Sequence, residues 1–177
     1  MVNFTPQRHR GHKEKLKMIP EIEKASAAEI KAFQEEKLKE TLQYLDENSP
    51  FYKRVFKENN IQISEIKTLE DIQRIPVTTK DHLQQFNNDF ICVPKSEIID
   101  YVTTSGTLGD PVTFALTDAD LERLAYNEAI SFACCGVGKE DTLQLMTTMD
   151  RRFMAGLAYF LGARKLGSGI IRVGSGI

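Results

Sequence analysis

A change in periodicity after Pro94 constrains the fold more than any other feature of the sequence. Apolar residues recur at helical spacing before this proline, whereas four short β-rich segments follow it: residues 98–102, 111–116, 142–147 and 170–173. Two segments with helical spacing, residues 117–134 and 153–166, separate the later strands. The order strand–loop–strand–helix–strand–helix–strand is typical of an α/β fold with a largely parallel sheet.

The first ninety residues are predicted to be helical and to serve mainly in packing. Ser26 and Glu29 have the spacing of a capping box, in which each side chain bonds the other residue's backbone amide. The helix that follows should end at the sequence Asn48-Ser49-Pro50. A second helix is predicted over residues 51–59, and shorter helical turns are predicted over 68–72 and after Thr78.

These patterns predict three parts of the chain. Residues 1–20 form a flexible basic arm, residues 21–94 a helical segment, and residues 95–177 an α/β segment with the loop described below. The last two parts are expected to form one incomplete domain, residues 21–177. A basic stretch at positions 8–17 belongs to the arm, where a solvated terminus is favoured over a phosphate-binding one.

The composition is that of an ordinary globular protein and excludes several function classes. A net charge of −2 gives no field that would attract nucleic acid or an anionic membrane, so neither is expected as a partner. No apolar run approaches the roughly 20 residues that cross a bilayer. Three cysteines, two of them adjacent, give neither a disulfide framework nor metal-site spacing. We therefore expect a cytoplasmic protein without a metal site of its own.

The chemistry is predicted to lie in the small-residue loop over residues 103–110, which directly follows a predicted strand. Gly106 and Gly109 allow close backbone approach, so that consecutive amide groups can surround an anion. Hydroxyl donors are contributed by Thr103, Thr104, Ser105 and Thr107. Loops of this composition are also common as plain turns, and both interpretations stay open from the loop alone.

Two other phosphate motifs are excluded. Neither this loop nor the sequence around Lys139 matches the G-x-x-x-x-G-K-[ST] pattern of nucleotide triphosphatases. No G-x-G-x-x-G fingerprint of dinucleotide-binding proteins occurs between a strand and a helix. The glycine pairs at 167–169 and 174–176 are interpreted as turns.

The sequence Thr104-Ser-Gly-Thr-Leu-Gly-Asp-Pro111 resembles the signature phosphate loop of the adenylate-forming superfamily, usually written [ST]-S-G-T-T-G-K-P. Within this superfamily, three further features of the sequence resemble phenylacetate–CoA ligases and their coenzyme F390 synthetase-like relatives. These are Ser49-Pro-Phe-Tyr52, the run from Leu69 to Asp81, and Val93-Pro94 shortly before the loop. The likeness covers residues 40 to 173.

The resemblance implies the fold and the reaction. The chain is expected to be an incomplete piece of the large N-terminal domain of such a ligase, which joins a small carboxylic acid to CoA through an acyl-adenylate, using ATP and Mg²⁺. The implied phosphate-binding residues are Thr103, Thr104, Ser105, Gly106, Thr107 and Gly109. Phe153 and Gly156 are implied to lie near the acyl pocket.

The loop departs from the superfamily pattern at two positions. Leu108 replaces a hydroxyl residue, and Asp110 replaces a lysine, so a cation is exchanged for an anion. Arg151 and Arg152 precede the expected pocket residue Phe153 and are interpreted as solvent-facing, with a carboxylated substrate as the alternative partner.

The remaining superfamily motifs, including the catalytic lysine, are expected outside this sequence. No catalytic residue is therefore assigned, and the chain alone is predicted to lack acid-dependent ATP–pyrophosphate exchange. Two alternatives are a non-catalytic remnant that acts as an oligomerisation or nucleotide-binding module, and an α/β domain whose loop binds nothing. An uncovered last strand and apolar helix faces predict a homodimer.

Overall fold

The computed structural model describes residues 20–104 and 111–174. These residues form two compact units. The helical unit contains residues 21–98 and 111–113, and the α/β unit is built mainly from residues 99–104 and 114–174.

The helical unit is organised by helix α1, Ala27–Asn48, followed by α2, Pro50–Glu58, and the short α3, Lys80–Gln85. Ser26 caps α1 with the predicted capping box to Glu29. Ser49 ends α1 and caps α2, where its hydroxyl group accepts a hydrogen bond from the Tyr52 amide. Short 3-10 helices connect these elements: Glu21–Lys24, Ile63–Glu65, Glu70–Arg74, Asn87–Phe90 and Lys95–Glu97.

The core of the helical unit lies where the first two helices pack on the following loop. Leu42 of α1, Phe56 of α2 and Ile66 are buried there, each with at most 4% of its surface exposed. Each such side chain stabilises the fold by about 1.5–3 kcal/mol through burial. The helical prediction for this part of the chain is confirmed, although the predicted helix over 68–72 is a 3-10 helix at Glu70–Arg74.

The α/β unit follows the predicted element order. Strand β1, Ile98–Thr103, and strand β2, Thr113–Thr117, form one two-stranded sheet. Helix α4, Asp118–Cys134, leads to β3, Thr142–Leu145, and helix α5, Met154–Leu166, leads to β4, Gly169–Arg172.

Parallel strand pairing and close helix packing hold the α/β unit together. Strands β3 and β4 pair in parallel, in register from Thr142 opposite Gly169 to Leu145 opposite Arg172. Gly162 lets α5 approach α4 closely, because a methyl group there would place its carbon 2.3 Å from Cβ of Glu128.

The α/β class is confirmed, with differences in detail. The described strands form two small sheets rather than one. The strand predicted over residues 111–116 is observed as Thr113–Thr117, so the buried Val112 precedes it, and Phe114 within it is 40% exposed. Among the described residues, no helix is both long and apolar enough to cross a membrane.

Candidate functional site

The structure describes only the first two residues of the predicted phosphate loop. Thr103 is the last residue of β1, and Thr104 follows it directly. The other predicted loop residues, Ser105, Gly106, Thr107 and Gly109, lie outside the described residues, as do Leu108 and Asp110. The nearest described residues on the two sides of this gap are Thr104 and Pro111.

The first end of the loop is held by the segment that precedes α5. The Thr103 amide donates a hydrogen bond of 3.0 Å to the Arg152 carbonyl, and Thr103 forms a parallel bridge with Phe153. Val102, one residue earlier, is 2% exposed and fixes the strand in the α/β unit. The backbone thus brings together Thr103 and Phe153, which the resemblance assigns to the phosphate loop and the acyl pocket.

The turn that presents Phe153 has an uncommon backbone. Arg151 and Arg152 both adopt left-handed conformations, with φ of 54° and 61°. The Thr148 hydroxyl group donates to the Asp150 carboxylate, and the Phe153 amide donates to the Asp150 carbonyl at 3.1 Å. Non-glycine residues with positive φ are uncommon, and they concentrate at functional sites and turns.

Gly156 lies in close contact with the backbone of the preceding turn. It is buried in the first turn of α5, where a methyl group would put its carbon 1.9 Å from the Thr148 carbonyl oxygen. Only glycine fits this contact without a backbone shift. Because Gly156 has no side chain, the first turn of α5 can pack directly on the segment that leads into the turn at Arg151 and Arg152.

The start of β2, three residues after the loop in sequence, is held by a residue that sequence reasoning missed. Asn87 lies in the 3-10 helix Asn87–Phe90, and its amide nitrogen Nδ2 donates a hydrogen bond of 2.8 Å to the Thr113 carbonyl. Thr113 begins β2, and Val112 beside it is 3% exposed. No local pattern separates Asn87 from its neighbour Asn88, because the contact joins residues 26 positions apart.

The 3-10 helix that carries Asn87 is fixed by α2. The Ser49 hydroxyl group donates to the Asp89 carbonyl at 3.2 Å, and Arg54 Nη1 donates to the Asp89 carboxylate at 3.0 Å. The rings of Phe51 and Phe90 stack with their centroids 4.1 Å apart. Ser49 is completely buried. The sequence Ser49-Pro-Phe-Tyr52 therefore supports the helix from which Asn87 reaches Thr113.

Helix α4, which follows β2 in sequence, begins with a capping box. Thr117 and Asp120 form a capping box, and the Thr117 amide donates to the Asp120 carboxylate at 2.9 Å. Burial raises the pKa of Asp120, but the Thr117 hydrogen bonds and the Arg123 guanidinium together hold this pKa below its ordinary value. The carboxylate therefore stays charged and fixes the end of β2.

A separate cavity of about 650 Å³ lies in the helical unit. Leu38, Leu42 and Phe56 lie on its wall, and Val77 lies on its rim with 81% of its surface exposed. Its apolar lining suits an apolar occupant better than a polyphosphate. Among the described residues, no group of three or more His, Cys, Asp or Glu side chains could hold a metal ion.

Comparison with known proteins identifies the relatives of the chain. No family model matches it. It is 31% identical over 156 residues to the phenylacetate–coenzyme A ligase of Escherichia coli strain K12, covering 88% of this chain and 36% of that protein. It is also 31% identical over 160 residues to the enzyme of the same name from Thermus thermophilus, covering 89% of this chain and 36% of that protein.

A solved structure gives the same relationship. An open conformation of 2-hydroxyisobutyryl-CoA ligase, in complex with 2-HIB-AMP and CoA, superposes with a TM-score of 0.79 at 27% sequence identity. The match covers 99% of this chain and 40% of that ligase. The chain thus spans about a third of the length of the relatives it matches. Over that shared part, it belongs to the phenylacetate–coenzyme A ligase family of adenylate-forming enzymes.

Proposed function

We propose that this chain supplies the phosphate-binding part of an AMP-forming acid–CoA ligase. The observation that carries the proposal is the sequence Thr104–Pro111, directly after β1, in a chain homologous to phenylacetate–CoA ligases. ATP, a small carboxylic acid and CoA are its proposed substrates. The solved relative was obtained with an acyl-adenylate and CoA, which supports this set.

The proposed reaction has two steps. A carboxylate oxygen of the acid attacks the α-phosphorus of ATP, and the bond to pyrophosphate breaks. The CoA thiolate then attacks the acyl carbon, and AMP leaves as the thioester forms. Backbone amides and hydroxyl groups of residues 103–109 would hold the β- and γ-phosphates and stabilise the charge that develops on pyrophosphate.

Mg²⁺ would accompany ATP as the counter-ion of its phosphates. No side chain of the described residues is assigned to it, because no group of three acidic or imidazole ligands occurs among them. Phe153 and Gly156 are proposed to lie near the acyl group, and the parallel bridge between Thr103 and Phe153 supports their placement beside the loop.

We also propose a cytoplasmic homodimer. An odd number of cysteines with an adjacent pair argues against an oxidising compartment. The apolar cavity rimmed by Val77, and the half-exposed side chains of Ile171 and Val173 at the last strand, are surfaces that a second copy could cover.

Changing the charge of residue 110 tests whether the loop binds phosphate. If the loop binds phosphates, Asp110 repels them by roughly 1 kcal/mol in water and up to about 4 kcal/mol at a partly buried surface. Asp110→Lys should therefore tighten ATP or pyrophosphate binding by about five-fold to several hundred-fold. Gly106→Val should weaken binding, because a β-branched residue resists positive φ and blocks the backbone.

Isothermal titration calorimetry at low salt makes the measurement, since salt screens the effect. The unchanged chain and both variants are titrated with ATP and with pyrophosphate. If both substitutions leave binding unchanged, the loop is a plain turn and the proposal is wrong.

A further inference from the structure

The proposed ligase reaction assigns no role to two adjacent cysteines at the end of helix α4. Cys134 is the last residue of this helix, and Cys135 is its C-terminal cap. Both residues are exposed, and neither forms a disulfide. Cysteine is among the residue types most often buried, so two neighbouring exposed thiols are an unusual feature of a protein surface.

The packing of α4 explains why both thiols are exposed. The buried residues of the helix are three alanines spaced four residues apart: Ala125, Ala129 and Ala133. Each residue turns about 100° around a helix, so Cys134 and Cys135 lie outside this packed face. A methyl group on Gly136, the next residue, would meet no atom within 4 Å, which shows that the space beside the pair is open.

The backbone around the two cysteines is fixed by the hydrogen bonds that close α4. The Cys135 amide donates to the Ser131 carbonyl at 3.2 Å, and the Gly136 amide donates to the Ala133 carbonyl at 3.0 Å. Gly136 adopts a positive φ of 94°, as is common just beyond the end of a helix. The two thiols are therefore presented side by side from one defined backbone conformation.

Adjacency makes a direct disulfide between the two sulfur atoms unfavourable. The Cα atoms of consecutive residues are about 3.8 Å apart, whereas those of disulfide-bonded cysteines are usually roughly 4.4–6.8 Å apart. Departures from that range strain the bond. A single atom that bonds both sulfurs adds one member to the ring and relaxes this constraint.

The pair has too few ligands for an ordinary protein metal site. Structural zinc sites use about four ligands, and no group of three or more His, Cys, Asp or Glu side chains that could hold a metal ion occurs among the described residues. Thiolates prefer soft centres. The ligand that fits best is therefore a soft atom with two exchangeable positions.

We propose that Cys134 and Cys135 form a dithiol site for trivalent arsenicals that carry one organic group. Arsenic in such a compound has two valences available for sulfur, which matches the number of thiols. With phenylarsine oxide, two arsenic–sulfur bonds form, the bonding of arsenic to oxygen breaks, and both thiol protons leave with the oxygen as water. Arsenic and sulfur keep their oxidation states, so no oxidant is required.

Cys92 provides an internal control. It belongs to the helical unit, it is half-buried, and its Sγ atom donates a hydrogen bond of 3.4 Å to the Phe90 carbonyl. An arsenical can form only one bond to this cysteine, because no second cysteine is adjacent to it in sequence. Linking two binding groups raises the overall affinity by about 10²–10⁴-fold, so an excess of a monothiol should strip arsenic from Cys92 but not from the pair.

The complete chain is incubated with phenylarsine oxide and excess glutathione, and bound arsenic is measured by intact-protein mass spectrometry. The variants Cys92→Ser, Cys134→Ser and Cys135→Ser are treated in the same way. We expect one phenylarsenic group per chain in the unchanged protein and in Cys92→Ser. Cys134→Ser and Cys135→Ser should bind about 10²–10⁴-fold more weakly, because only one bond to arsenic remains. A small dithiol such as 2,3-dimercaptopropanol should remove the group from the unchanged protein.

The same measurements give the results that would overturn the proposal. No stable product with the unchanged chain, or equal retention by Cys134→Ser and Cys135→Ser, excludes a site built from both thiols. Loss of binding in Cys92→Ser, or one arsenic shared by two chains, excludes it as well. The reaction should be about as fast in native buffer as in urea, since both thiols are exposed. A reaction that proceeds only in urea would show that the pair is inaccessible.

Discussion

Gly156→Ala tests whether the turn before α5 is packed as the structure shows. A methyl group at this position would place its carbon 1.9 Å from the Thr148 carbonyl oxygen and 2.9 Å from the Thr148 carbonyl carbon. Both are backbone atoms, so no side-chain rotation can relieve the contact. Either α5 or the turn through Thr148 must move by more than 1 Å for an ordinary contact distance, roughly 3.2–3.5 Å, to be restored.

The expected cost follows from two opposing effects. Overpacking of a well-packed site costs about 1–3 kcal/mol, and contact with backbone argues for the upper end. Alanine is about 1 kcal/mol more favourable than glycine inside a helix, which offsets part of that cost. We therefore expect Gly156→Ala to lower the free energy of unfolding by about 2 kcal/mol, and the melting temperature by roughly 4–8 °C.

Urea and thermal unfolding of the purified chain measure both quantities. Gly138→Ala is the control, because the nearest atom to its added carbon is the Asp141 carboxylate at 3.9 Å. This control should change the free energy of unfolding by less than about 0.5 kcal/mol. If Gly156→Ala is as stable as the unchanged chain, or more stable, the close contact with Thr148 is wrong.

Three further predictions concern the turn, the cap of α4 and the helical surface. Arg151→Gly should raise the free energy of unfolding by up to about 1 kcal/mol, because glycine adopts positive φ without a steric penalty; a lower urea midpoint would contradict this. The pKa of Asp120 is lowered in the folded state, so its stabilising effect is present above the unfolded pKa of about 4 and is lost as pH falls through the lower folded value. Asp120→Asn should thus be less stable than the unchanged chain at pH 7, and the difference should narrow at pH 3; an equal difference at both pH values would argue against the Thr117 cap. Val77→Asp should weaken self-association, measured by light scattering coupled to size exclusion, and an unchanged concentration dependence would exclude that surface from the dimer.

The elements predicted correctly from the sequence are those with local signals. Ser26 forms the predicted capping box with Glu29, and the helical segment predicted over residues 117–134 is observed as α4, Asp118–Cys134. Gly167 adopts a left-handed conformation with φ of 85° and ends α5 where the sequence places it. Each signal needs only a few neighbouring residues, so no knowledge of tertiary contacts is required.

The features that sequence reasoning missed depend on contacts between distant segments. Asn87 finds its partner 26 residues away, and its identity as a donor cannot be read from its neighbours. Arginine normally disfavours positive φ, so nothing in the sequence indicates the backbone of Arg151 and Arg152. The exposure of Phe114 likewise depends on which residues cover each face of β2, and alternation along one strand does not determine that.

The segments that carry the family resemblance divide into two physical roles. The loop over 104–111 carries the residues proposed to bind phosphate, whereas the segments before it mainly build the helical unit. Ser49 bonds the Asp89 carbonyl, and the hydroxyl groups of Tyr52 and Thr78 lie 2.9 Å apart. These two contacts show that the matching segments stabilise the helical unit.

The contacts of Asp89 predict where mutations act on the helical unit. A substitution that loosens Asp89 should move the helix that carries Asn87 and weaken the hydrogen bond from Asn87 to the Thr113 carbonyl. Such a substitution should therefore speed amide hydrogen exchange around Thr113. Arg54 is the strongest case, because its guanidinium bonds Asp89 and also packs on the Phe86 ring next to Asn87.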